Sequence, residues 1–111
     1  MVVELLERDE IDRLFAALAD ATRRDILGRV LREESSVSAL AARYAMSFAA
    51  VQKHVAVLER AALVTKERRG REQLVRGAVD TVRAANRLLE QYEEIWRGRI
   101  ERIDAILGDE K

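Results

Sequence analysis

The chain reads as a mainly α-helical fold with one small β-hairpin, and three observations carry that reading. Apolar residues recur at steps of three and four along most of the length, interrupted once, around residues 63–76, by strand-like segments about a glycine. There is no proline, so no helix has to break at a missing amide donor. Of the 111 residues 49% are apolar and 36% charged, which suits one modest core in a helix-rich domain rather than a disordered chain.

Taken in order, Ile11, Leu14, Phe15 and Leu18 predict a first helix from about residue 9 to 19. Asp20 then reads as the N-cap of ATRRDILGRVL, whose Ile26, Leu27, Val30 and Leu31 make a second apolar stripe. The polar cluster REESS ends that helix. Ser38 is expected to cap a short third one, SALAARYA, with Leu40, Ala41 and Tyr44 on one side. Ser47 supplies the next cap, for a helix over about 47–60. LVTKER, RG and REQLVR then predict a hairpin over about 63–76, with Gly70 providing the positive φ of the turn. From about 78 to 107, Val82, Ala85, Leu89, Tyr92, Trp96, Ile103 and Ile106 restore the helical step, with Arg99 interrupting. Thirty helical residues run about 45 Å, longer than so small a domain is wide. Their stripe, flanked by Leu88, Ile95 and Ile100, needs more cover than three short helices supply, so a second subunit is expected on it. The whole of 1–111 is expected to form one domain.

The composition narrows the chemistry. The absence of cysteine rules out disulfides and thiolate metal sites and agrees with a reducing compartment. The acidic N-terminus has too short an apolar run for a signal peptide, and no segment approaches the roughly 20 apolar residues of a membrane span. A cytoplasmic protein with no membrane partner is the expectation. His54 is the single histidine, with no carboxylate at ligand spacing on its face. No nucleophile with a base and no phosphate-cradling glycine loop appears, so no catalytic residue, metal or cofactor is expected, and the chain does not read as an enzyme. The formal net charge is zero, but it is unevenly spread: residues 1–34 carry −3, 35–46 carry +1, 47–76 carry +4 and the remainder −2. A basic middle between acidic ends marks a local anion-binding face.

The order of three helices, a fourth after a turn, a hairpin and a long helix is that of a winged helix-turn-helix. In that architecture one helix enters the major groove, about 12 Å wide, and the hairpin lies beside it. Residues at 100° intervals divide the 47–60 helix into two faces. Val51, His54, Val55 and Leu58 form the buried stripe; Ala49, Gln52, Lys53 and Ala56 lie opposite. The small alanines allow close approach to a surface. Gln52 offers the paired donor and acceptor that adenine requires, and Lys53 a point charge for phosphate or guanine. Phe48 stands at the border, able to touch a thymine methyl or to close the edge of the core, and the core is the expectation. His54 is expected to be buried and bonded to backbone, with one ring nitrogen near a phosphate. Arg68, Arg69 and Arg71 around Gly70 suit phosphates or the adjacent minor groove. The candidate DNA-binding set is therefore Ser47, Phe48, Ala49, Gln52, Lys53, His54, Arg68, Arg69 and Arg71, with double-stranded DNA as the partner.

LADATRRDIL, VSALAARYAMSFAAVQKHVAVLERAALV and KERRGREQLV resemble the arsenic-repressor-like (ArsR-type) winged helix-turn-helix transcription regulators, a likeness that covers residues 14–76. The resemblance implies a homodimer through the N- and C-terminal helices, which places Leu14, Leu18, Leu89, Tyr92, Trp96 and Ile103 at the interface. It also implies two reader helices on an imperfect palindrome, and action as a repressor released by a signal, with a small-molecule effector still to be identified. Gln52 and Lys53 fall where such proteins contact bases and phosphates, and Arg69 and Arg71 fall in the wing. Three departures bear on function. The cysteine pair of metal-sensing members is missing, and the last helix has no histidine, so the likeness does not extend to metal sensing. Gln52 replaces a common serine, which implies a different operator. Ala62 stands where glycine is usual, and because a left-handed alanine costs about 1 kcal/mol the turn is expected to take another form. A protein-interaction module or a ligand-responsive activator is the alternative function.

Overall fold

The computed structural model describes residues 6–109; residues 1–5 and 110–111, which the single-domain expectation includes, lie outside the described residues. The fold is mainly α with a small antiparallel sheet. Its elements are α1 (Arg8–Leu18), α2 (Ala21–Arg32), β1 (Ser35–Ser36), α3 (Val37–Ala41), α4 (Phe48–Arg60), β2 (Val64–Arg69), β3 (Glu72–Gly77) and α5 (Val79–Asp109).

Side-chain caps start three of the helices. Asp20 accepts from the Arg23 amide at 3.0 Å to open α2, and Ser47 accepts from the Ala50 amide at 3.1 Å to open α4. For α3 the cap is Ser36, bonded to the Ala39 amide at 3.0 Å, and not Ser38. α3 is also shorter than SALAARYA, because after Ala41 the chain continues in tight turns, with the Arg43 amide donating to the Leu40 carbonyl.

Ser36 has a second task. With Ser35 it forms an edge strand on β3, paired Ser35 to Val75 and Ser36 to Leu74, so the sheet has three strands in the order β1-β3-β2. The hairpin register itself follows Val64↔Gly77 through Arg69↔Glu72, closed by Gly70 at φ 65°. A two-residue strand has no alternation to read, which is why REESS shows only a helix ending.

Leu14 and Ala17 of α1, Ile26, Leu27 and Val30 of α2, Val37 and Leu40 of α3, Val51, Val55 and Leu58 of α4, and Leu63, Val64 and Val75 of the sheet form one core. Each full-sized side chain there contributes about 1.5–3 kcal/mol by leaving water. Leu14, which the resemblance places at the interface, is 1% exposed and packs within the core of its own chain. The apolar residue that α1 leaves outside is its neighbour Phe15, 40% exposed, and Leu18 packs on the core margin. One residue of offset turns a helical side chain by 100°, enough to exchange inside for outside.

α4 ends in a Schellman turn. The Ala62 amide donates to the Glu59 carbonyl at 2.9 Å and the Leu63 amide to the Leu58 carbonyl at 3.0 Å. The closing residue is Ala62 itself, at φ 60°. The turn thus keeps the left-handed form that its alanine was expected to avoid, because the buried pair Leu58 and Leu63 flanks it and fixes the chain direction. α5 lays Val82 and Ala85 against the core and then runs clear of it. At 31 residues it is about 46 Å long, which accounts for principal extents of 71 × 33 × 24 Å.

Candidate nucleic-acid interface

The N-terminal half of α4 and the tip of the hairpin border one open cleft of about 180 Å³, lined by Val37, Ser38, Phe48, Gln52, Arg68, Arg71, Glu72 and Gln73. Gln52 and Lys53 are exposed, Ala49 beside them is exposed, and Val51 and Val55 on the other side of α4 are buried. Ser47 opens the helix from an exposed position. Phe48 departs from the expectation that it closes the core. It is 46% exposed and faces the cleft, because Val51, Val55 and Leu58 already fill the buried stripe and the first residue of α4 lies outside their arc.

His54 also differs in its partner. Half-buried, its Nδ1 lies 3.3 Å from the Arg23 guanidinium rather than on a backbone group. A guanidinium only donates, so Nδ1 is the acceptor in this contact. The same guanidinium donates to the Ala17 carbonyl at 2.8 Å and to the Ala16 carbonyl at 3.1 Å. Arg23 therefore ties the open end of α1, the start of α2 and the middle of α4 together. Nothing in the periodicity singles it out. It lies in the LADATRRDIL stretch, and its contact with His54 joins residues 31 apart.

A second cluster sets the angle between α2 and the turn before α4. The Tyr44 hydroxyl donates to Asp25 Oδ2 at 2.5 Å, and Arg29 Nε donates to the same oxygen at 2.9 Å. The Tyr44 hydroxyl, and after it Arg29, hold the Asp25 carboxyl below its ordinary range. Burial, followed by that carboxylate, pushes the Tyr44 hydroxyl up.

Strand alternation divides the arginines of the hairpin. Lys66 and Arg68 share the α4 side: Lys66 pairs with Glu59 of α4 at 3.5 Å, and Arg68 reaches the cleft, its Nε donating to the Gly70 carbonyl at 3.2 Å. Arg69 and Arg76 lie on the other side with Glu67 and Glu34. Arg69 pairs with Glu67 at 3.1 Å, and Arg76 with Glu34 at 3.1 Å and with Glu67 at 3.3 Å. The bond from Arg76 keeps the Glu34 carboxyl below its usual value and raises the guanidinium in turn. Among the described residues Lys53, Arg68 and Arg71 form no ion pair, and Glu72 lines the same cleft as the two arginines.

The proposed interface residues of the long helix are exposed: Leu89, Tyr92, Trp96 and Ile103, joined by Ile95, Ile100, Ile106 and Leu107. Arg99 stacks over the Trp96 ring at 5.6 Å from its centroid. None of the described helices is long and apolar enough to cross a membrane.

A helix-turn-helix domain model matches residues 18–67, from the end of α1 into the hairpin. Among solved structures, an ArsR-like transcriptional regulator from Rhodococcus sp. RHA1 is 35% identical at a TM-score of 0.77, over 88% of this chain and 92% of that one. A second ArsR family transcriptional regulator is 29% identical at a TM-score of 0.78, over 83% and 95%. The homodimeric winged helix-turn-helix DNA-binding domain of a Mycobacterium bovis protein is 25% identical at a TM-score of 0.64, over 81% and 89%. A comparison with curated proteins returns no match.

Proposed function

The chain belongs to the ArsR family of winged helix-turn-helix transcriptional regulators, and from that premise we propose that it is a homodimeric repressor that binds an imperfect palindrome in duplex DNA. The observation that carries this reading is the shared cleft. Gln52 on the exposed face of α4 and Arg68 and Arg71 on the hairpin border the same opening, with Lys53 and Ala49 next to Gln52. A helix so placed can enter the major groove while the hairpin follows the flanking backbone. In this reading Gln52 addresses adenine, Lys53, Arg68 and Arg71 neutralise phosphates, and Ser47 and Ala49 permit close approach. His54, bonded to Arg23, orients α4. The homodimer rests on the exposed stripe of α5 together with Phe15, and on the dimeric state of the Mycobacterium bovis relative. DNA in the cytoplasm is the partner, and no catalytic step is assigned.

The test is selection of bound duplexes from a random pool, followed by titration of variants at two salt concentrations. Lys53→Ala should weaken all duplexes and lower the salt slope by about one unit. Gln52→Ala should instead relax sequence choice, at about 1–3 kcal/mol on the preferred site. Uniform weakening by Gln52→Ala across base substitutions excludes it as a base reader. A second reading, a protein-interaction module, is favoured by the size of the exposed α5 stripe, and binding with no salt dependence on any duplex would select it.

A further inference from the structure

We propose that Phe48 is a specificity-determining residue that packs on the 5-methyl group of a thymine, so that each half-site presents two A·T pairs to the start of α4. The inference rests on the DNA-binding reading above and deepens it. Phe48 is the first residue of α4, capped by Ser47, and is 46% exposed because Val51, Val55 and Leu58 already fill the buried stripe of the helix. It stands four residues before Gln52, which puts the two side chains on one side of the helix, and both line the cleft that Arg68 and Arg71 border. Four residues advance about 6 Å along a helix, against 3.4 Å per base pair along DNA. The pair therefore addresses positions within about two steps of each other. Their chemistries converge. A glutamine amide matches the adenine edge, and an exposed phenyl ring finds only one apolar group in the major groove, the thymine methyl. Phe48 is also separate from the exposed stripe of α5, so a second protein copy on that stripe leaves it free.

The test works on the DNA as well as on the protein. The duplex selected from a random pool is remade with each thymine in turn replaced by deoxyuridine, which removes one methyl group and leaves every base pair intact. Binding is titrated for the unaltered protein and for Phe48→Ala, with helicity checked by circular dichroism. The expected result is one thymine per half-site whose replacement weakens the unaltered protein about fourfold, and both together about fifteenfold. Phe48→Ala should bind the thymine and deoxyuridine duplexes equally. Indifference of the unaltered protein to deoxyuridine at every position overturns the proposal, as does a methyl effect that persists in Phe48→Ala. Failure to enrich any duplex would instead remove the DNA-binding reading itself, a result visible before deoxyuridine is introduced.

Discussion

Ala62 shows how a single residue can hold a turn at a cost. Its φ of 60° is the left-handed conformation that closes the Schellman turn after α4. An L-residue with a Cβ loses about 1–2 kcal/mol there, while glycine would lose part of that gain through its freer unfolded chain. Because Ala62 is exposed, its methyl group adds little burial. Ala62→Gly should therefore raise stability by about 1 kcal/mol in urea unfolding, and no gain would mean that the turn relaxes in solution. The carboxylates give a second expectation at this scale. Asp25, bonded by the Tyr44 hydroxyl and then by Arg29, has its carboxyl held below the ordinary aspartate range. Asp20 is lowered chiefly by the Arg23 amide, and Glu34 chiefly by the Arg76 guanidinium. A depressed carboxyl binds fewer protons folded than unfolded, so its contribution is complete above the ordinary carboxylate range and is lost as pH falls through the folded value. Thermal midpoints should hold from neutrality to about pH 5 and decline below about pH 4. Asp25→Asn, less stable near neutrality, should show a shallower acid decline in melts followed by circular dichroism.

At the scale of elements, close approach decides where the hairpin meets α2. A Cβ on Gly77, the last residue of β3, would lie 2.4 Å from Leu31 Cδ2 and 3.1 Å from the Leu31 backbone Cα. The side chain could swing aside, but the backbone could not, so Gly77→Ala should cost about 1–3 kcal/mol. Urea unfolding would measure it, and a wild-type midpoint would show that α2 gives way freely. The same alternation that buries Val75 separates Arg68 from Arg69, placing one beside α4 and the other among Glu34 and Glu67. Neighbours in RRGR look equivalent in the sequence. What distinguishes them is Glu34, 35 positions earlier, which comes within range only because β1 joins the sheet.

For the whole molecule the governing fact is elongation. The radius of gyration is 19.1 Å, whereas a compact chain of this length would have about 13 Å. The excess comes from α5, whose stripe from Leu89 to Leu107 is exposed along its length. A dimer through α5 would cover that stripe. Trp96→Glu with Ile103→Glu should then yield a monomer in light scattering and reduce affinity for a palindromic duplex by more than tenfold. A mass unchanged by both substitutions would place the stripe outside the assembly. Helix and strand types, the caps at Asp20 and Ser47, the outward face of Gln52 and Lys53 and the family likeness were all legible from the sequence, because each depends on neighbours within a turn or two. Leu14 inside and Phe15 outside, Phe48 in the cleft, β1 on the sheet and Arg23 on His54 were not. Those are decided by which distant segment fills a space, satisfies a carbonyl or neutralises a charge, and only the folded chain brings such segments together.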